Sequence, residues 1–579
     1  MSFTARLKQI DWARIAQIIL PYFVIITVTY LMINYQIYAR ATFITSDRFL
    51  HFYRFYDTSM QIKTGNYSFF QTNFGFNQSG RIFNALYGPF FAYINGLALI
   101  ICGTWFRYQI FVDFAVFLIG GIGMYRLGLK AKVNDFIALL LAVLYLQFGI
   151  MIGILRANNF MAWGAAFTPY VLMQAVNMVE DKKRPIHWLS LGVIMAIVAQ
   201  VHVLSTVFLA LTLVPFAIYG LVKTEERKQM IIDLLKAIGT CIVLTANIWG
   251  SFLVVYPGNK IATPNNFGLA WHTITLKKYA FQHGNLSSWL VILLLIQLIY
   301  IIVKFKQSTL NDMATIGSLV IIFIASKYFP WGKIQGRIPK LGSFLQFPYR
   351  IAIGAYPLLL LAIGITLTQV MKNGLKITKE YAVFIVFFAI LQTFAGTIRT
   401  INSYTKAFLD PTHVVTMGNH YKLPKDRKQI QWITRNTNNG ELFENMNRAE
   451  PDYLPINPSA NNMVYRHDVL DNQKKYKRQI VGDKMILTWT SKKDEKRRLP
   501  IVLYKRSKIV VNGKDVTNTA PRNTINNPLV KAKKGKNVAV LSYQTPVWFW
   551  GLVIISILGW IGVIGLGIYN WIKKRDSKD

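Results

Sequence analysis

Apolar residues in this chain fall into long unbroken stretches, with polar residues confined between them. Stretches of spanning length lie near residues 15 to 38, 108 to 125, 135 to 153, 162 to 179, 187 to 203, 205 to 222, 232 to 256, 287 to 303, 313 to 327, 350 to 370, 380 to 398 and 547 to 572. A bilayer core about 30 Å thick takes about 20 apolar residues per helix, so the pattern predicts about twelve transmembrane helices. A further run, Gly88 to Gly103, is shorter and carries Pro89, Asn95 and Gly96. By length it is either a span or a helix at the interface. The first stretch, from near Ile15 to Tyr38, is too long, and followed by too many others, to be a cleaved signal peptide.

Charge chooses between the two readings of Gly88 to Gly103. If it does not cross, the clusters Arg126/Lys130/Lys132, Lys182/Lys183/Arg184, Lys223/Arg227/Lys228, Lys304/Lys306, Lys372/Lys376/Lys379 and Lys573/Lys574/Arg575 all share the side of the basic N-terminus. If it crosses, the later clusters fall on the wrong side, which the positive-inside rule rejects. Both termini are then expected in the cytoplasm. The loops 39 to 107, 154 to 161, 257 to 286 and 328 to 349, and the long segment 399 to 546, are expected to face outward.

Segment 399 to 546 has a different pattern. Its second half alternates apolar and polar residues between turn signals, as in Ile501 to Tyr504, Ile509 to Val511 followed by Asn512-Gly513, and Val538 to Tyr543. These read as short strands, so the chain divides into a membrane module over 1–398, a β-rich extracytoplasmic domain over 399–546, and a last span with a cytoplasmic tail over 547–579. The β-rich segment holds 28 Lys and Arg against 12 Asp and Glu.

Composition agrees with this division. Hydrophobic residues make up 53% of the chain, charged residues 16%, and mean hydropathy is +0.32. That is more apolar surface than a soluble core absorbs. The formal charge of +39 lies in loops and in one domain between spans, so its partners are anionic lipid headgroups or an anionic outer polymer rather than nucleic acid. Cys102 and Cys241 both lie in apolar stretches and form neither a disulfide framework nor a Cys-based metal site. There is no internal repeat and no phosphate-binding glycine motif, so no nucleotide cofactor is expected.

Candidate chemistry concentrates after the first span, in Ser46-Asp47-Arg48-Phe49-Leu50-His51-Phe52-Tyr53-Arg54-Phe55-Tyr56-Asp57. On a helix, Asp47, His51 and Arg54 share one face, while Phe49, Phe52, Tyr53, Tyr56 and Met60 form an aromatic stripe on another. Such a helix is expected along the outer membrane surface, with Ser46 as its N-cap and Asp47 in its first turn. Arg48, His51 and Arg54 nearby keep Asp47 ionised and available as a general base or metal ligand. The alternative is a capped amphipathic helix with ordinary ion pairs.

An acidic residue soon after the first span, the opening Tyr87-Gly88-Pro89 continuing into Ala92-Tyr93-Ile94-Asn95-Gly96, a span ending in Met124-Tyr125-Arg126-Leu127, and Gln346-Phe347-Pro348-Tyr349-Arg350 at a late span together resemble the GT-C glycosyltransferase superfamily. Among its bacterial branches they resemble the YfhO-type and 6-pyruvoyl-tetrahydropterin synthase-related membrane proteins. The resemblance implies an α-helical polytopic GT-C-like fold in a bacterial plasma membrane. It also implies transfer of a sugar from a polyprenyl-phosphate carrier to an envelope polymer or glycolipid on the outer face, with Asp47 at the catalytic acid's position and His51 beside it. The loop has Asp47-Arg48 where a paired acidic motif is expected, which leaves a divalent metal open.

The remaining candidates are basic. Arg156, in Leu155-Arg156-Ala157-Asn158-Asn159, occupies the place of a second acidic motif and could grip a donor phosphate in its planar fork, or anchor to headgroups. Loop 257 to 286 carries His272, Lys277, Lys278 and His283, and 328 to 350 carries Lys333, Arg337, Lys340 and Arg350 with no acid between them. Cations on outward loops suit an anionic ligand, so Arg48, Arg54, Arg156, His272, Arg337 and Arg350 are the candidate substrate-binding set. His202, at a helix turn, is more often structural. Asp113, inside a span, marks a functional or paired site, with Arg107 as one partner. Two other function classes fit the same features: a transporter or flippase of a lipid-linked or anionic solute, and a non-catalytic envelope assembly protein.

Overall fold

The computed structural model describes residues 12–147, 149–157, 160–275, 288–373, 376–410, 420–422, 428–449, 452–456 and 462–576. The first apolar run forms helix α1 (Trp12–Tyr38), and the chain turns into α2 (Ser46–Thr64). The cap position of α2 belongs to Thr45 rather than Ser46, because Thr45 is the residue with extended backbone (φ −119°, ψ 177°). Its side chain makes no capping bond, so Asp47 in the first turn supplies the favourable charge at that end. Gly65 ends the helix in the left-handed region (φ 70°), its N–H bonded to Gln61 O.

Helix α3 (Pro89–Cys102) follows an irregular stretch and starts at Gly88, which has φ 62°. A Cβ on Gly88 would lie 2.1 Å from Gln200 O, so this turn takes glycine alone. With 14 residues, α3 is about 21 Å long, shorter than a bilayer core. Helix α4 (Trp105–Lys130) then begins at Thr104, whose hydroxyl accepts the N–H of Arg107.

Among the described residues, seven helices are long and apolar enough to cross a membrane, or eight if Arg227–Leu244 and Ala246–Val255, bent by 61°, form one span. Pro89–Cys102, Trp188–Val201, Val291–Val303 and Thr309–Ala325 are apolar but shorter. Runs counted in sequence do not reveal such bends. At 232 to 256 the bend comes at Thr245, which leaves helical geometry (φ −113°, ψ 15°) and turns its hydroxyl back onto Cys241 O at 2.7 Å.

The C-terminal region carries strands β1 (Lys477–Val481), β2 (Lys484–Ser491), β3 (Glu495–Arg498), β4 (Ser507–Val511), β5 (Lys514–Asp515), β6 (Leu529–Ala532) and β7 (Gly535–Tyr543). They form an antiparallel five-stranded sheet in the order β1-β2-β7-β4-β5 and a two-stranded ladder, β3-β6. Alternation puts Met485, Leu487 and Trp489 of β2 on one face with Ile509, Ala539 and Leu541. Asn512-Gly513 forms the β4–β5 turn, with φ 49° and 80°, the left-handed pair such a turn requires. Ile501 to Tyr504, expected as a strand, is not one. All four side chains are fully buried, and the backbone bonds piecemeal, Val502 N–H to Ser79 O and Leu503 N–H to Asn526 O. A final helix, Val547–Asp576, follows the sheet.

Helix α2 does not lie along a membrane surface with its aromatic stripe in lipid. Of the predicted stripe, Phe49, Phe52 and Tyr53 are each at most 1% exposed, and Tyr56 and Met60 are half-buried. Phe443, from the segment that follows the helix Lys376–Leu409, stacks on Tyr53 at 4.3 Å, and Trp105 stacks on Phe52 at 4.2 Å. The stripe is covered by protein because aromatic faces gain more from packed rings than from solvent. Arg435 closes the same junction by donating to Arg40 O and Ala39 O, both at 3.0 Å.

Asp57 fastens α2 to the loop that follows it. Its carboxylate accepts Phe74 N–H at 2.8 Å, Gly75 N–H at 3.0 Å and Gln61 Nε2 at 2.8 Å. Burial outweighs these donors and pushes the carboxyl up from 3.8 to about 6. The folded value lies above the unfolded one, so the fold holds an extra proton between them. The associated stability is complete below about pH 4 and is lost as pH rises through about 6, an effect on the order of 3 kcal/mol. Thermal unfolding of the full chain in detergent at pH 5 and pH 7 is therefore expected to differ less for Asp57→Asn than for the wild type. An unchanged pH difference in the variant would rule this out.

Candidate functional site

A cleft of about 820 Å³ opens where α2, the turn before α3, the helix junction at His202, the loop around residue 262, the stretch 340–350 and the segment 448–453 meet. One flank is apolar and faces outward from the protein: Val203 is 38% exposed, Val207 43%, Tyr256 46% and Phe344 65%. The lining also holds charged residues, Asp47, Asp452, Lys340, Arg350 and Arg448, of which Asp47 and Arg448 are close enough to act on the Asp452 carboxyl. His51, Tyr87 and His202 line the same cleft.

Local structure fixes both imidazoles. Arg54 is fully buried, and its guanidinium, which can only donate, meets His51 Nδ1 at 3.1 Å. It also donates to Asn84 Oδ1 at 3.1 Å and to Tyr87 O, and lies over the Tyr87 ring at 4.6 Å. His51 Nδ1 must therefore accept, which leaves the proton of the neutral ring on Nε2. Burial first, and then Arg54, hold His51 well below the usual histidine range. His202 is arranged in the same way: as N-cap of the helix Val203–Lys223 its Nδ1 accepts Ser205 N–H at 3.2 Å and lies 2.8 Å from Ser205 Oγ. Burial and Arg350 lower it to about 3. The rings of His51 and His202 flank Tyr87 at 5.8 and 6.2 Å. Both rings are thus neutral with the proton on Nε2, and both line the cleft.

The acidic end joins two distant parts of the chain. Asp47 is exposed in the first turn of α2. Asp452 sits in a turn whose carbonyl oxygen accepts from buried Arg81. Burial raises the Asp452 carboxyl above the usual carboxylate range and Asp47 adds to the rise, while Arg81 and Arg448 oppose it. This wall is joined to the loop around 262 by Ala262 N–H on Leu454 O at 2.7 Å and Tyr453 N–H on Ala262 O at 3.2 Å. Arg350 donates through Nη1 to Gln346 Oε1 at 2.8 Å and lies over the Phe347 ring at 4.6 Å. Its buried Nε has no hydrogen-bond partner among the described residues. Among the described residues no three His, Cys, Asp or Glu side chains gather as a metal site.

The structure brings Asp47, His51 and Arg350 to the cleft, with His202, and leaves other predicted residues out. Arg48 turns the opposite way. At 1% exposure it lies 3.7 Å from Asp113 and donates to Ile154 O and Phe43 O, so Arg48 rather than Arg107 is the partner of the intramembrane acid. Arg54 is buried beneath His51 and acts by positioning it. His272 lies a layer behind the cleft, packed 4.8 Å from Phe347 and 5.5 Å from Phe267. Arg337 is exposed at the end of helix Trp331–Arg337 and does not line the cleft. The side chain of Arg156, and Lys277, Lys278 and His283, lie outside the described residues. Asp452, Arg448 and Arg81 carry no motif that marks them in the sequence. The one available signal is an acid next to Pro451 in a strongly basic segment.

Residues 85–401, more than half of the chain, match the family described as 6-pyruvoyl-tetrahydropterin synthase related domain, membrane protein. No curated protein matches the chain. Among solved structures, the oligosaccharyltransferase of Archaeoglobus fulgidus in its apo form is similar at 13% identity and a TM-score of 0.39, over 66% of this chain and 56% of that one. ArnT from Cupriavidus metallidurans, bound to undecaprenyl phosphate, is similar at 12% identity and a TM-score of 0.38, over 72% of this chain and 85% of that one. This chain therefore spans little more than half the length of the oligosaccharyltransferase.

Replacing Arg54 tests how the imidazole is held. Lysine keeps the charge but cannot reach Asn84, His51 and Tyr87 together. Arg54→Lys is expected to lose about 2–4 kcal/mol of stability through the acceptors left unmatched, read as a lowered unfolding midpoint in detergent. A midpoint equal to wild type would show that the fork is not what holds the site.

Proposed function

We propose that this chain, which belongs to the 6-pyruvoyl-tetrahydropterin synthase related family of membrane proteins, transfers a sugar from a polyprenyl-phosphate-linked donor to a cell-envelope polymer or glycolipid at the outer face of the plasma membrane. The observation that carries this reading is the make-up of one cleft: an apolar flank open at Val203, Val207 and Tyr256 shares its lining with Asp47, Arg350, Lys340 and Arg448. A prenyl chain suits the first part, and a phosphorylated sugar with an acceptor hydroxyl suits the second. Nucleotide sugars are absent on that face, so a lipid-linked donor is the appropriate class.

In this reading Asp47 takes the proton of the acceptor hydroxyl as its oxygen attacks the anomeric carbon. The bond from that carbon to the phosphate oxygen breaks, and the carrier phosphate leaves with the electron pair. Charge grows on the leaving phosphate, where Arg350 and the Nε2–H groups of His51 and His202 can donate to it. Neutral imidazole donors suit such a leaving group, because they add hydrogen bonds without a second proton to compete with the base. The few charges inside the spans and the lack of an internal repeat make a transporter the weaker reading.

Asp47→Asn keeps the shape and removes the base. In membranes supplied with mixed polyprenyl-phosphate-linked sugars, release of free polyprenyl phosphate, followed by mass spectrometry, is expected to fall at least about a hundredfold, with expression unchanged and thermal stability lowered only by the lost charge at the start of α2, about 1 kcal/mol or less. Wild-type release by the variant would sink the assignment.

A further inference from the structure

Away from the cleft, the five-stranded sheet carries charge that its own fold does not balance. One end of the sheet is anchored. The β1–β2 turn meets the loop after α2, with Gly482 N–H on Asn66 Oδ1 at 2.7 Å and Asn73 Nδ2 on Asp483 O at 3.2 Å. Tyr543, at the end of β7, packs 4.8 Å from Phe70 shortly before the final helix starts at Val547. From there β2 and β7 run in register to Ser491 opposite Gly535, about 25 Å away at roughly 3.4 Å per residue.

Lysines gather at that far end. Lys496 of β3 is the direct cross-strand partner of Lys531 of β6, an arrangement of like charges that costs stability. Lys533 and Lys534 fill the turn into β7, Lys536 opens that strand, and Lys492 and Lys493 follow β2; all are exposed. Two acids lie among them: Asp494 accepts the backbone N–H of Lys534 at 2.7 Å, and Glu495 meets Arg497 at 3.4 Å and Ser491 Oγ at 3.0 Å. None of these lysines ion-pairs with a described carboxylate. The turn is rigidly built, because buried Asn537 accepts Lys533 N–H at 2.9 Å and donates to Lys533 O at 2.7 Å and Gly535 O at 3.0 Å. The backbone that carries Lys533 and Lys534 is therefore held in one shape.

We infer that this end of the sheet is a docking surface for a linear polyanion, a chain polymer with repeated phosphate, sulfate or carboxylate groups. An anion bridging Lys496 and Lys531 would offset the repulsion that the ladder otherwise bears. Lysines are point charges without the planar fork of arginine, so the surface recognises charge density along a chain rather than one group's shape. A lipid surface is the weaker partner, since the cluster lies at the sheet end opposite the membrane helix, well beyond a Debye length of about 8–10 Å. Nucleic acid is weaker too: Tyr476, Trp489, Tyr504 and Tyr543, the aromatic residues of this region, are all buried, which leaves no platform for stacking bases. The inference stands apart from sugar transfer and does not need the cleft to be catalytic.

The test uses the full chain in neutral-lipid nanodiscs with labelled linear polyphosphate, read by fluorescence anisotropy at low and moderate salt. Wild type is expected to bind, with affinity falling steeply as salt rises. The combined variant Lys496→Gln/Lys531→Gln/Lys533→Gln/Lys534→Gln is expected to bind at least tenfold more weakly with a shallower salt dependence. Lys531→Glu alone, which sets a carboxylate opposite Lys496, is expected to raise the unfolding temperature while weakening binding. Polyphosphate affinity unchanged in the combined variant, or in a stabilised Lys531→Glu, overturns the proposal. So does binding confined to phosphatidylglycerol vesicles or to a single-stranded oligonucleotide.

Discussion

A guanidinium removed from water is tolerated only where its N–H groups find acceptors, and three buried arginines impose that demand on the loop after the first span. Arg54 meets it with Asn84, the Tyr87 carbonyl and His51. Arg81 reaches the carbonyl of Asp452 and lies over the rings of Phe76 and Phe83. Arg48 reaches Ile154 O and Asp113. Because these acceptors sit on different parts of the chain, satisfying the arginines ties the loop at once to the helices and to the C-terminal region. The cleft is what this fastening leaves open.

The same bonds set the chemistry of the cleft. Arg54 occupies one nitrogen of His51, and the cap of the helix Val203–Lys223 occupies one nitrogen of His202, so both rings meet the cleft as neutral donors. Tyr504 adds a further tie: its hydroxyl donates to Tyr453 O at 2.8 Å and accepts Ile82 N–H at 3.1 Å. The wall bearing Asp452 is thereby held against the turn that carries Tyr87.

The C-terminal region plays two parts. Its first portion, around Phe443 and Asp452, completes the packing of α2 and one wall of the cleft. Its sheet extends away from that junction and carries a concentration of lysine at the far end. The large surplus of basic residues in this region is thus not spread evenly: Lys492, Lys493, Lys496, Lys531, Lys533, Lys534 and Lys536 crowd the tip, all exposed.

Much of the architecture was legible from residue pattern, because a bilayer demands long apolar runs and a sheet with one buried face demands alternation. The membrane class, the basic C-terminal sheet, the Asn512-Gly513 turn and the shared helical face of Asp47 and His51 all follow from such local rules. The run at Ile501 to Tyr504 misled, since four buried apolar residues can cross between elements without joining a ladder. What the sequence could not decide was which cations meet an anion and which are used up inside the fold. Arg48, Arg54 and Arg350 are alike by residue type. Two of their fates, Arg48 paired with Asp113 and Arg54 holding His51, depend on acceptors such as Ile154 O, Asn84 and Tyr87 O, about 30 to 106 positions away, and hydrogen-bond satisfaction across such distances is set when the chain packs.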